Sequence, residues 1–83
     1  MYQVIKRDGK TEPFDKSKIV SAVTNAKSAD GVAQEVADTI VAWLPSAAKD
    51  QKVGALLIRR EVIKELQKRD PAAAKRMESY KKS

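Results

Sequence analysis

The sequence predicts an α+β fold: an N-terminal β-hairpin, then four helices, with a short third strand between the second and third of them. Three observations carry this expectation. Val4-Ile5 and Thr11 to Phe14 flank Asp8-Gly9, a dipeptide that favours hairpin turns. Beyond Asp15, apolar residues recur at three- and four-residue spacing in four separate stretches. The chain has 83 residues, enough for one modest core, so residues 1–83 are expected to form a single domain.

The elements follow in order. Tyr2 to Arg7 reads as a strand, and Thr11 to Phe14 as its return, with Pro13 suited to an edge because it lacks a donor. Asp15 is a good N-cap for a helix from Lys16 to about Ala26, whose apolar side is Ile19, Val20, Val23 and Ala26. Ser28-Ala29-Asp30-Gly31 breaks that pattern, and Ser28 or Asp30 can cap a second helix from Val32 to Leu44. Its stripe is Val32, Val36, Ile40 and Trp43 or Leu44, and Pro45 is expected to end it. Ser46 to Lys52 reads as a polar loop and Val53-Gly54 as the third strand. Ile58, Val62 and Leu66 place a third helix over Ala55 to Arg69. Asp70-Pro71 opens a fourth, with Asp as N-cap, Pro at the first helical position, and Ala73, Met77 and Tyr80 on its apolar face.

Composition removes several classes of chemistry. With no cysteine and no histidine, disulfides, ordinary zinc sites and histidine-dependent catalysis are excluded. No glycine-rich loop ends in Gly-Lys-Ser/Thr, so the usual apparatus for phosphoryl transfer is missing. No apolar run approaches the roughly 20 residues of a membrane span, and the charged start of the chain is unlike a signal peptide, which makes the cytoplasm the expected location. Lys and Arg number 17 against 11 acids. Between Ile19 and Gln51 the only bases are Lys27 and Lys49, against Asp30, Glu35, Asp38 and Asp50, so the positive excess lies at the two ends. A fold that joins the ends concentrates positive potential and attracts an anion.

The candidate site lies in residues 4–19. Lys6 and Arg7 stand at a strand end beside a tight turn, and Lys18 lies in the first turn of the next helix. Cations near a helix N-terminus suit phosphate, because free backbone donors and the helix dipole add to the charge. Strand alternation sends Lys6 and Arg7 to opposite faces, so a ligand touching both must wrap the hairpin end. The pattern alone does not name the anion, and an ordinary charged hairpin would read the same.

Val4-Ile5-Lys6-Arg7-Asp8-Gly9, then Phe14-Asp15 and Lys18-Ile19, resembles the N-terminal signature of the ATP-cone family. Ile58-Arg59, Arg69-Asp70-Pro71 and Ala74-Lys75-Arg76 with Tyr80 extend the likeness over about residues 2–82. ATP-cones are regulatory domains of ribonucleotide reductase large subunits and of the repressor of their genes, and they occur on some archaeal kinases. The resemblance implies a three-stranded sheet capping four helices, with ATP or dATP, with or without magnesium, held between hairpin and helices. Carried over by position, Val4 would pack near the base, and Lys6, Arg7 and Lys18 would contact phosphates. Glu12 and Asp15 would lie near the adenine edge, where a carboxylate accepts from the exocyclic amine. Lys81 or Lys82 would add a phosphate contact.

Three positions depart from the family pattern. Where several members place a hydroxyl residue and a histidine toward the nucleotide, this chain has Ala55 and Arg59. Arg59 can reach phosphate but cannot reproduce an imidazole contact to the sugar. Met77 replaces a common aromatic and is expected to fill the core. Trp43 reads as a core or interface residue, and Arg59-Arg60 with Lys64, Lys68 and Arg69 as a solvated face balanced by Glu61 and Glu65.

The implied function is non-catalytic: an adenine-nucleotide-binding regulatory module that modulates self-association or a regulated enzyme or repressor, with no membrane contact and no nucleic-acid binding of its own. Two alternatives stand beside it. One is a small basic nucleic-acid-binding domain, against which Tyr2, Phe14, Trp43 and Tyr80 form no stacking platform. The other is an oligomerisation or adaptor module that has kept the fold and lost the nucleotide.

Overall fold

The computed structural model describes residues 2–79. Its elements run β1 (Gln3–Ile5), β2 (Thr11–Pro13), α1 (Lys16–Asn25), α2 (Val32–Ala47), β3 (Lys52–Gly54), α3 (Ala55–Arg69) and α4 (Pro71–Ser79). The expected α+β class and the third strand are both present. The sheet order is β2-β1-β3. β1 pairs antiparallel with β2, Val4 opposite Glu12, and parallel with β3, Val4 opposite Val53. Val4 and Val53 point inward, and this small mixed sheet closes one end of the helical core.

The hairpin loop is one residue longer than a two-residue Asp-Gly turn. The amide of Gly9 donates to the carbonyl of Lys6 at 2.9 Å, and the amide of Lys6 to the carbonyl of Lys10 at 2.7 Å. Gly9 takes the left-handed conformation, φ 88°, which closes a three-residue loop of Arg7, Asp8 and Gly9. Arg7 therefore sits at the loop tip rather than at the strand end. The Asp8 carboxylate accepts from the amide of Lys10 at 3.0 Å and stiffens the loop.

Asp15 caps α1 as its position predicts, accepting from the Ser17 amide at 3.0 Å and the Ser17 hydroxyl at 2.7 Å. The start of α2 differs from expectation. Its N-cap is Gly31 at φ 84°, with no side-chain cap, because the chain leaves α1 through left-handed Lys27 and must turn again before Val32. Pro45 does not end α2, which runs on to Ala47. A proline withdraws only its own amide, and its partner carbonyl would be that of Val41, on the exposed side of the helix. The Ser46 hydroxyl donates to the Trp43 carbonyl at 2.8 Å and the Ala48 amide to the Leu44 carbonyl at 2.8 Å, so the last turn stays satisfied. A tight turn then leads into β3, with Asp50 and Gln51 both at positive φ and Lys49 and Lys52 bonded to each other through both backbone groups.

The core is built from α1, α2, α3 and α4, with Val23, Val36, Ile40, Leu44, Leu66 and Ala73 essentially inaccessible. Met77 is buried, as its place on α4 predicts, and Trp43 is half-buried against the core. Asp70 ties two distant pieces together: one carboxylate oxygen accepts from the Ala73 amide at 3.2 Å and the other from the Ala29 amide at 2.9 Å. Those bonds hold its carboxyl below the usual carboxylate range, the contact with Ala29 contributing most.

Candidate functional site

Helices α1, α3 and α4 enclose a groove of about 810 Å³. Its floor is apolar, from Ile19, Ala22, Ala55, Ile58, Val62 and Met77. Its rim is cationic: Lys18 at the start of α1, Arg59 on α3, and Lys27 and Arg76 where α1 ends beside α4. Among the described residues, no acidic side chain lines it. An apolar slot of this size edged by cations accepts a flat ring system carrying phosphates.

The hairpin delivers its charge to the Lys18 end. Glu12, central in β2, forms ion pairs with Lys18 at 3.3 Å and Lys6 at 3.7 Å. One carboxylate on the sheet therefore gathers two of the expected phosphate-binding cations beside the groove. Lys6 and Lys18 remain more than half exposed, so both ammonium groups keep donors for a ligand. Arg7, one residue further on, is exposed at the loop tip and forms no ion pair among the described residues.

The other expected residues fall into distinct places. Arg59 lines the groove and donates from Nη2 to the Met77 carbonyl at 2.9 Å, satisfying an acceptor in the last turn of α4. Ala55, where the family pattern has a hydroxyl, also lines it. Val4 is buried below the sheet and is not among the groove-lining side chains. Asp15 spends one carboxylate oxygen on the α1 cap, and the Ser17 hydroxyl, then the Ser17 amide, pulls its carboxyl below the ordinary range. Lys81 and Lys82 lie outside the described residues.

The far end of the groove escapes sequence reasoning. Arg76 donates to the carbonyls of Ala26 at 2.7 Å and Lys27 at 2.9 Å, joining α4 to the C-terminus of α1 across about fifty residues of chain. A guanidinium at a helix C-terminus answers both its free carbonyls and its dipole. Only the left-handed turn at Lys27 presents those carbonyls to α4, and nothing in the local pattern announces it. Among the described residues, no group of three or more metal-ligating side chains is assembled, and no helix is long and apolar enough to cross a membrane.

The model of the ATP cone domain matches residues 2–83, nearly the whole chain. The chain belongs to the ATP-cone family. This ATP-cone is also similar to the transcriptional repressor NrdR of Pelobacter propionicus, with 30% identity over 83 residues, covering 96% of the chain and 55% of that protein. It thus spans about half the length of that relative. Membership makes the chain a nucleotide-binding regulatory module by class.

Proposed function

We propose that this ATP-cone binds ATP or dATP in the groove between the hairpin, α1, α3 and α4, and that occupancy alters its association with itself or with a regulated partner. The carrying observation is the convergence of Lys6, Glu12 and Lys18 at one end of an apolar groove rimmed by cations. On this reading the triphosphate lies against Lys6, Arg7, Lys18 and Arg59, with magnesium as an optional companion. Glu12 and the free oxygen of Asp15 serve the adenine edge, and Val4 supports the sheet that covers the base.

The reading is regulatory and not catalytic. Family membership supports it. The likeness to a transcriptional repressor favours a repressor as the regulated partner, and ribonucleotide reductase itself is the other candidate. A cytoplasmic location accords with both.

Sedimentation with and without ATP, beside a long incubation assayed for ADP, tests the proposal. A nucleotide-dependent change in association without turnover supports it. ADP formation above a protein-free control sinks the non-catalytic reading.

A further inference from the structure

The outward face of α3 carries Leu56, Leu57, Arg60, Lys64, Gln67 and Lys68, with the half-buried Glu61 at its margin. Leu56 is 68% exposed and Leu57 44%. Arg60 and Lys64 form no ion pair among the described residues, and Lys68 reaches only the buried Glu65, which is also held by Arg69 at 2.9 Å. The face is therefore apolar at the N-terminal end of the helix and cationic along the rest.

The outward face of α2 has the opposite layout. Glu35 and Asp38 lie toward its N-terminus, and Val41, Ala42 and Pro45 toward its C-terminus. Val41 is 40% exposed. Glu35 pairs with Arg69 at 3.4 Å, and Asp38 pairs with Lys16, each through one carboxylate oxygen. The second oxygen of each accepts no hydrogen bond among the described residues. Both side chains are more than half exposed, so each can take another cation.

The two faces also match in register. Run antiparallel, with Leu57 set against Val41, Arg60 lies three residues along α3 where Asp38 lies three residues back along α2. Lys64 then comes opposite Glu35, within about 1.5 Å of helix rise. Lys68 comes opposite Asp30, in the exposed turn just before α2. A parallel setting from the same apolar contact opposes Arg60 to Leu44, Lys64 to Ala48 and Lys68 to Lys52, so none of these three cations meets an acid.

We infer that these faces are a self-association surface, on which α3 of one copy docks antiparallel along α2 of a second copy. Leu56 and Leu57 pack on Val41 and Ala42, and the three cations meet the three acids. The leucines decide for a protein partner over a phosphate backbone, which takes charge but gives two exposed leucines nothing to cover them. One helix-on-helix contact is small beside the roughly 800 Å² per partner of a stable complex, so the association is weak and concentration-dependent. The inference names the surface for the self-association arm of the proposed function. It does not require that nucleotide bind.

The test is sedimentation velocity on the full chain at low and high salt. Three chains are compared: the native one, R60E/K64E, and E35K/D38K. The native chain should associate with rising concentration, less so in high salt. Each charge-reversed chain alone should associate about a hundredfold more weakly, since like charges then face each other. An equimolar mixture of the two should recover association. Thermal melts establish that each variant is folded. Should E35K/D38K unfold through loss of its pairs with Arg69 and Lys16, Leu57→Ser serves as second variant and must also weaken association. A native chain that stays monomeric at about millimolar concentration, variants that associate as the native chain does, or a mixture that stays apart overturns the inference. So does a monomer shifted only by added duplex DNA through Arg60 and Lys64. Calorimetric titration of R60E/K64E with ATP separates the two claims, because neither residue lines the groove: retained binding with lost association supports this surface, and lost binding with retained association overturns it.

Discussion

Replacing Lys6 and Arg7 together by alanine should abolish measurable triphosphate binding and leave the fold intact. The structure says why the fold should survive. The loop is closed by backbone bonds of Lys6 and Lys10 and by left-handed Gly9, none of which uses the Lys6 or Arg7 side chain. Among the described residues, the side-chain interaction lost is the exposed 3.7 Å pair of Lys6 with Glu12. Exposed pairs and surface substitutions of this kind change stability by about half a kcal/mol or less. A charge-assisted contact to phosphate is worth about 1.5–3 kcal/mol. Loss of two therefore weakens binding by roughly a hundredfold or more. Calorimetric titration with ATP, beside a thermal melt, measures both quantities. An unchanged melt with unchanged affinity would refute the placement of the triphosphate at the hairpin.

Arg59→Ala should weaken triphosphate binding by about tenfold, through loss of one charge-assisted contact, and slightly lower the melting temperature through the bond to Met77; unchanged affinity removes Arg59 from the site. Asp70→Asn should lower the melting temperature and flatten its acid dependence. The sign follows from the depressed carboxyl: its stabilisation is complete above the unfolded value near about 3.9 and is lost as pH falls through the lower folded value. Melts between pH 2 and 6 check this, and identical slopes for both proteins would contradict it. Leu66→Ala, at a fully buried position, should cost about 2–5 kcal/mol, a large share of the roughly 4–12 kcal/mol expected for a domain of this size; urea unfolding measures the loss.

Legibility in the sequence followed the range of the interactions. The hairpin, the Asp15 cap and the Asp-Pro start of α4 rest on neighbouring residues, and local pattern suffices for them. Pro45 misleads because the cost of a proline depends on whether its partner carbonyl is exposed, and that is a tertiary fact. The turn at Asp50 and Gln51 carries no glycine, so its positive φ angles have no local signature. Gly31 replaces the expected side-chain cap for a related reason: the route of the chain from Lys27 sets the entry angle of α2.

The same division holds at the site. Lys6, Glu12 and Lys18 lie within thirteen residues of each other, and a hairpin followed by a helix brings them together. Arg76 reaches Ala26 and Lys27 only through the packed core. Helical spacing assigns Arg69 to a solvated face, yet it bridges α3 to Glu35 and to the Thr39 hydroxyl on α2. Short-range chemistry is readable from the sequence, whereas the groove's far wall is a product of the fold.

Calorimetric titration of the native chain with ATP, dATP, ADP and GTP, with and without magnesium, tests the central claim most directly. Saturable binding of ATP or dATP, tighter than that of GTP, is the result predicted from Glu12 and the apolar groove. Equal affinity for all four would reduce the site to a phosphate sink, and absence of any binding would contradict the nucleotide-sensing account.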